Sequence, residues 1–490
     1  MRYHTSVPSY HVENFGCRAT QADGAALERQ FESRGLQRAP VAKASFVILN
    51  TCSVTNSADQ DARAAIRRVR RQNPMARIIV TGCYAQRAPQ EIAALPGVSA
   101  VIGNSHKHQL AEIALHNISA TGLDRNGHEP IERDFFPLSA LTENREVTTE
   151  NRIFVSDIFA HTELLAAPVF EARSHESDRT RPNLKVQDGC DNRCSFCIIP
   201  SVRGQSRSLT LPEIIREVNA LVAAGYREVV ISGINLGRWG RDLNIGKNRL
   251  PGAGARDLRF ESLIQAILAE TQLEKLRISS VEPMDWTSEL IALVSGSPRI
   301  TRHAHVPLQS GSDAVLRRMH RKYRPWHYRE KIEKIHAAMP TAAIGADVMT
   351  GFPGETDAEF EASRSFIADL PFTYLHVFTY SARPGTPAAD MRNQVPVHVA
   401  RERNKILRDL AAEKKRAFLQ SFVGKSLEAI TLGAAHRRPD GEFTEALTDN
   451  YQKLYLKGRH IPNRWITARV DGVENGALVG ERLGTNRPSN

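Results

Sequence analysis

The chain has 490 residues, 41% of them hydrophobic and 24% charged, with 65 Lys and Arg against 54 Asp and Glu for a net charge of +11. That length exceeds one ordinary core, so two or three domains are expected. No apolar run is long enough to span a bilayer and no apolar signal core follows Met1-Arg2-Tyr3, so no membrane segment is expected and a cytoplasmic location is predicted, while the basic surplus permits a polyanionic partner without requiring one.

In the first domain, set at 1–137, residues 45–50 and 77–81 read as buried strands, and a cysteine stands just past each, Cys52 after Thr51 and Cys83 after Gly82. Between them residues 57–72 place Ala62, Ala65, Ile66 and Val69 on one side of a helix, which makes the unit a βαβ with a parallel sheet. Such a sheet opens its ligand crevice at the carboxyl ends of its strands. Cysteines far apart in sequence can therefore meet there, with Cys17 arriving from the first loop; the competing reading is three unrelated cysteines packed as small apolar residues. The same helix carries Arg63, Arg67, Arg68, Arg70 and Arg71, a run that is ordinarily a solvated face and becomes a phosphate contact only beside the crevice.

Residues 138–181 lose periodicity and read as a linker. Regular strand–helix alternation then fills the second domain, 182–420, with strands at 184–187, 228–232, 275–279, 303–306, 343–348 and 374–378. Thr210 and Glu213 form a capping box for a helix with Ile214, Ile215, Val218, Leu221 and Val222 on one face and Gly225 as its stop. About six βα units rather than eight predict a partial parallel (β/α)6 barrel whose chemistry sits in the loops at the carboxyl ends of the strands.

The loop after the first of these strands holds Cys190, Cys194 and Cys197, so all six cysteines fall into two triplets. The spacing Cys-x-x-x-Cys-x-x-Cys lets three thiolates converge on one iron–sulfur cluster while one iron lacks a protein ligand. A structural zinc ordinarily takes four nitrogen or sulfur ligands, and no fourth Cys or close His completes this set. Disulfides have little support in an intracellular-looking chain.

Residues 401–418 form a helix with seven Lys or Arg against three acids, and the composition then shifts. Segments 424–432, 443–448, 452–456, 465–470 and 477–480 read as short strands broken by Gly, Pro, Asn and Asp, which predicts a small five-stranded barrel over 422–485. Lys425, Arg437, Arg438, Lys453, Lys457, Arg459 and Arg464 stand near Phe443, Tyr451, Tyr455 and Trp465, a mixture able to hold phosphates and stack bases, with core packing the competing role for the rings.

At these residues the chain resembles the radical SAM methylthiotransferases over nearly its whole length. The likeness rests on Asn50-Thr51-Cys52-Ser53-Val54-Thr55, Thr81-Gly82-Cys83-Tyr84-Ala85-Gln86, residues 189–200, Pro307-Leu308-Gln309-Ser310-Gly311-Ser312, and residues 347–355 with their Gly-Phe-Pro-Gly-Glu end. It implies an α/β multidomain protein: an N-terminal parallel-sheet domain bearing a cysteine triplet, a central partial radical SAM barrel, and a C-terminal OB-like barrel called TRAM that binds RNA. The first two motifs are most similar to the branch acting on N6-threonylcarbamoyladenosine beside the tRNA anticodon. The chain departs from the pattern at Thr20, where members often carry Asn, and residues 244–257 look like an expansion.

The resemblance further implies two 4Fe-4S clusters, one on Cys190, Cys194 and Cys197 that binds S-adenosylmethionine and generates a 5′-deoxyadenosyl radical, the other on Cys17, Cys52 and Cys83 that supplies sulfur. Ser232, Gly233 and Asn235 are expected near the methionine part of the cofactor, followed by Ser280, Glu282, Gln309 and Asp347; a polar residue after a strand otherwise caps a helix or closes a turn. No general-base dyad is needed, so His303 and His305 read as structural or surface groups. The implied partners are the anticodon stem-loop of tRNA and a flavodoxin- or ferredoxin-like reductant, with the sulfur donor unassigned. Alternatives are action on isopentenyladenosine in tRNA, action on a ribosomal-protein side chain, and, from another class, a noncatalytic zinc-dependent RNA-binding protein.

Overall fold

The structure is a computed structural model that describes residues 8–119, 152–161, 164, 181–244, 258–438 and 441–483; most of the expected linker and of the 244–257 expansion lies outside the described residues. The chain divides into two compact units, Met1–Ala167 with Ser201–Gly204, and Pro168–Pro200 with Gln205–Asn490.

In the first unit, apolar runs form β1 (Ser9–Asn14), β2 (Gln37–Arg38), β3 (Phe46–Thr51), β4 (Arg77–Gly82), β5 (Val98–Ile102) and β6 (Ile153–Phe154), a parallel sheet ordered β2-β1-β3-β4-β5-β6. Every residue of β3 is buried, as a parallel strand covered on both faces must be. Successive side chains alternate in direction. Phe46 and Ile48 therefore pack with Leu27, Phe31 and Leu110, whereas Val47 and Leu49 pack with Ala62, Ile66 and Val69 of helix Asn56–Gln72. Thr55 caps that helix, accepting the Ala58 backbone N–H at 3.2 Å.

The second unit contains β7 (Asn183–Lys185), β8 (Gln187–Asp188), β9 (Arg207–Ser208), β10 (Glu228–Ser232), β11 (Lys275–Ile278), β12 (His303–His305), β13 (Ala343–Thr350) and β14 (Tyr374–Thr379). The expected strand over 184–187 is split at Val186, and β8 turns away to pair with β9. The other six are parallel in two triplets, β11-β10-β7 and β12-β13-β14, joined by bridges Leu276 to Ile300 and Ser280 to His305. Helices including Leu211–Ala223, Phe260–Glu270, Ser288–Gly296 and Pro325–Ala338 intervene, and their Ile214, Val218, Leu263, Ile264, Leu290 and Ile332 build one core with the strands. Glu213 reaches back to the Thr210 backbone N–H at 3.0 Å, the reciprocal half of the capping box. Among the described residues β14 pairs only with β13, so the partial barrel ends on an open edge beside helix Val397–Gln420.

The same unit ends in a closed barrel of β15 (Ser426–Arg438), β16 (Gly441–Thr448), β17 (Lys453–Lys457), β18 (Trp465–Glu474) and β19 (Ala477–Arg482), ordered β15-β16-β17-β19-β18. Gly480 is required where β19 crosses β18, since a Cβ there would stand 2.0 Å from the Arg469 carbonyl oxygen. Leu419 and Phe422, at and just past the end of the preceding helix, complete this barrel's core.

Candidate functional site

Gln187 organises the loop that carries the second cysteine triplet. Its Nε2 donates to the carbonyls of Asp188 at 2.9 Å and Gly189 at 2.8 Å, while its Oε1 accepts the Asn235 backbone N–H at 2.7 Å. The loops after β8 and β10 are thereby tied together. Gly233 sits against this side chain, where a Cβ would lie 2.8 Å from Gln187 Oε1.

Cys190, Cys194 and Cys197 line a cavity of about 210 Å³ together with Asn235, Ser280, Glu282, Gln309 and Asp347. Ser232 and Gly233 do not line it: Ser232 is buried at the end of β10, and Gly233 is given over to the Gln187 contact. The Cys190 sulfur accepts the Asn192 backbone N–H at 3.4 Å and Asn235 Nδ2 at 3.6 Å. Arg321 donates from Nη1 to the Cys194 sulfur at 3.2 Å, pairs through Nη2 with the Glu282 carboxylate, and donates from Nε to the Tyr323 hydroxyl at 3.2 Å. Asn235 Oδ1 and Gln309 Oε1 are buried without a hydrogen-bond partner among the described residues, and Gln309 holds a left-handed backbone with φ of 67°. Buried acceptors left open at a cavity, beside a strained backbone, are what a polar ligand would complete.

Burial pushes the Cys197 thiol up to about 12 and raises Cys190 as well, and it raises Glu282 against the opposing charge of Arg321. Metal binding at this triplet must therefore expel protons.

The first triplet follows three adjacent strands, with Cys17 beyond β1, Cys52 directly after β3 and Cys83 directly after β4. Gly16 has φ of 106°, and a Cβ there would lie 2.6 Å from Cys52 Cβ and 2.9 Å from its sulfur. Thr20 Oγ1 stands 3.6 Å from the Cys17 sulfur, and Asn104 Nδ2 donates to the Cys83 sulfur at 3.7 Å. Lys107 Nζ donates to Asp23 at 3.0 Å and to Asn50 Oδ1 at 3.2 Å, and Arg203 Nη2 donates to the same Asp23 oxygen at 3.1 Å. Two buried cations thus share one carboxylate beside the sulfurs. Burial, with Cys83 close by, pushes the Cys52 thiol up to about 12, and Arg203 opposes the shift.

Other expected contacts are placed differently. Arg63 is bonded to the Tyr84 hydroxyl at 2.7 Å and Glu91 at 2.7 Å, and Arg68 to Glu13 at 2.6 Å, so two of the helix arginines serve intramolecular pairs. In the C-terminal barrel Phe443 is core, Tyr451 packs on His303 and Arg277, and Trp465 lies under Lys275. Tyr455 has two barrel residues, His436 and Lys453, against its ring.

Residues 9–103 match the model described as Uncharacterized protein family UPF0004, and residues 184–367 match the Radical SAM superfamily. The threonylcarbamoyladenosine tRNA methylthiotransferase MtaB of Bacillus subtilis is 35% identical over 90% of this chain and 89% of its own length. The protein of the same name from Aquifex aeolicus is 32% identical over 91% of this chain and 96% of its own. The chain belongs to the radical SAM methylthiotransferase family. A second kind of relative of this methylthiotransferase, the tRNA-2-methylthio-N(6)-dimethylallyladenosine synthase of Parafrankia, is 33% identical over 88% of this chain and 79% of its own. In fold it resembles the radical S-adenosylmethionine methyltransferase TsrM from Kitasatospora setae, with a TM-score of 0.54 at 14% identity over 79% of this chain and 74% of that one.

Membership in the radical SAM superfamily implies S-adenosylmethionine and a 4Fe-4S cluster for this methylthiotransferase. Reading the sequence did not single out Arg321, which hides among Arg317, Arg318, Lys322 and Arg324, nor His376. His303 and His305, expected to be structural or surface groups, are both buried in the barrel, and His305 faces Asp347.

Proposed function

We propose that the chain adds a methylthio group to C2 of N6-threonylcarbamoyladenosine at position 37 of tRNA, next to the anticodon. The observation that carries this reading is the pair of separate cysteine triplets, one following three adjacent parallel strands and the other lining a single cavity. The branch is supported by the likeness to proteins named for threonylcarbamoyladenosine. In this reading residues 1–137, 182–420 and 422–485 are the N-terminal, radical SAM and TRAM domains, joined across 138–181. Cys190, Cys194 and Cys197 hold one 4Fe-4S cluster, and Cys17, Cys52 and Cys83 hold a second.

When bound, the two clusters and S-adenosylmethionine supply one-electron cleavage of a sulfonium, hydrogen abstraction from an aromatic C–H and a sulfur source. The chain's own residues orient these groups. Asn235 and Arg321 donate to the sulfurs of Cys190 and Cys194, and the open acceptors Asn235 Oδ1 and Gln309 Oε1 suit the ammonium of the methionine part. Ser280, Glu282 and Asp347 complete the wall, while Gly233 leaves room for the Gln187 side chain that holds the loop after β10. Lys107 and Arg203 provide positive charge beside the first triplet. The assigned partners are the tRNA anticodon stem-loop and a flavodoxin- or ferredoxin-like reductant in the cytoplasm; no described helix is long and apolar enough to cross a membrane.

Deleting the gene should remove the 2-methylthio group from threonylcarbamoyladenosine in total tRNA, read by nucleoside mass spectrometry, and Cys17→Ala should fail to restore it. Loss of the group from isopentenyladenosine instead would reassign the branch. Anaerobically purified protein should contain two clusters' worth of iron and sulfide, and a preparation holding mainly zinc would defeat the radical chemistry.

A further inference from the structure

We propose that His305, Asp347 and His376 form a site for one divalent transition-metal ion, separate from both cysteine triplets. Three adjacent parallel strands deliver them. Asp347 on β13 lies in register with His376 on β14, and His305 on β12 lies in register with Gly345, two residues before Asp347 and on the same side of the sheet. Gly345 contributes no side chain there, and the Tyr374 ring fills the space where its Cβ would stand. That ring lies 6.0 Å from the His305 ring and 5.3 Å from the His376 ring, fixing both imidazoles.

His305 Nε2 is 3.4 Å, and His376 Nδ1 3.3 Å, from the same oxygen, Asp347 Oδ1. Both separations exceed the usual 2.7 to 3.2 Å of an N–H···O hydrogen bond. Two ligand atoms about 2.1 Å from one ion and tetrahedrally disposed stand about 3.4 Å apart. His305 is only 8% exposed, and its Nε2 has no hydrogen-bond partner among the described residues. Two imidazole nitrogens that converge on one carboxylate oxygen at these separations outline a ligand set for a single ion.

Among the described residues this is the set of metal-binding side chains whose ligand atoms all lie within 4.8 Å of one another. Two imidazoles and one carboxylate suit zinc, manganese, ferrous iron or cobalt rather than calcium or magnesium. The His376 side chain is 65% exposed, so the remaining coordination corner is open to an exogenous oxygen or nitrogen donor. Asp347 also lines the cavity of the second cysteine triplet, which puts the ion at that cavity's rim.

The probe is Zn²⁺. Holoenzyme with both clusters assembled and its iron counted is equilibrated with Zn²⁺, desalted anaerobically, and its metals measured by mass spectrometry. One zinc per chain should be retained above the iron, and His376→Gln should bind it at least tenfold more weakly while keeping the same iron content. His376 is largely exposed, so its replacement leaves the core untouched; Asp347→Asn is the second variant and should also lose the zinc. Equal retention by His376→Gln, or no retained zinc in the parent, overturns the assignment.

Discussion

Arg321 places its guanidinium Nη1 3.2 Å from the sulfur of Cys194, making a buried cation a direct partner of the cysteine triplet. Charge-assisted donors to a thiolate are stronger than neutral ones, and hydrogen bonds to cluster sulfurs set reduction potential. Reduction adds negative charge, so a nearby cation favours the reduced state. Arg321→Gln should therefore lower the potential of the cluster proposed at this triplet while iron content stays near that of the parent. Spectroelectrochemical titration of the anaerobic protein reads the shift; an unchanged potential would mean the guanidinium serves only to neutralise Glu282.

Gly16 sits directly against Cys52. Its positive φ disfavours any side chain, and an added Cβ would press on both Cβ and sulfur of Cys52. Gly16→Ala should abolish iron at the first triplet and leave the second, halving the iron and sulfide per chain. Full occupancy in the variant would show that Cys52 takes no part in a cluster.

Strand ends were legible because apolar runs are local, and the cysteines directly after β3 and β4 needed only those ends to be located. The loop residues were harder. Ser232 and Gly233 follow a strand as Asn235 does, but nothing in their sequence shows that the side chain of Gln187 occupies the space beside Gly233. Arg321 was invisible for the opposite reason: it stands in a basic stretch, and only tertiary packing decides which cation turns inward. His305 and His376 meet through the registers of β12, β13 and β14, a relationship that no local pattern encodes. For the aromatic residues of the last domain composition left base stacking and core packing both open; Phe443 is buried in the small barrel, and Tyr451 and Trp465 contact residues of the radical SAM portion.

Asp23 is 1% exposed and receives hydrogen bonds from both Lys107 and Arg203. Burial already lowers the Lys107 pKa, so that cation depends on its carboxylate. Removing one partner of a buried pair costs about 3–5 kcal/mol, because the remaining charge is left uncompensated. Asp23→Asn should cost stability on that scale by urea denaturation. A loss below about 1 kcal/mol would indicate that water or another acceptor replaces the carboxylate.

Helix Val397–Gln420 sets Arg401, Lys405 and Arg408 along one groove with Phe378 and Thr379 of β14. Lys405 is paired with Asp409 at 2.8 Å, whereas no ion pair is formed by Arg401 or Arg408 among the described residues. Those two arginines are free to meet phosphate. Each phosphate contact adds close to one unit to the slope of log affinity against log salt. The double variant Arg401→Ala, Arg408→Ala should bind tRNA more weakly irrespective of sequence and flatten that slope by about 2. An unaltered slope would move the RNA path away from this groove.

Glu359 supplies a stability test with a defined sign. Arg318 grips its carboxylate through Nη1 at 2.9 Å and Nη2 at 2.7 Å, and the Thr356 backbone N–H adds a bond at 2.9 Å. The hydrogen bond from Arg318 is the main reason the Glu359 pKa is lowered, and burial opposes it only in part. A carboxylate with a depressed folded pKa contributes its stability above the unfolded value, near 4.3, and loses it as pH falls through the folded value. Glu359→Gln should be less stable than the parent by about 1 kcal/mol at pH 7. That gap should begin to narrow as pH falls below the unfolded value and close once it has passed the lower folded one. Paired urea denaturations followed by circular dichroism at pH 7 and at about pH 3.5 measure it. A gap of the same size at both would mean that the side chain acts through shape and capping rather than through charge.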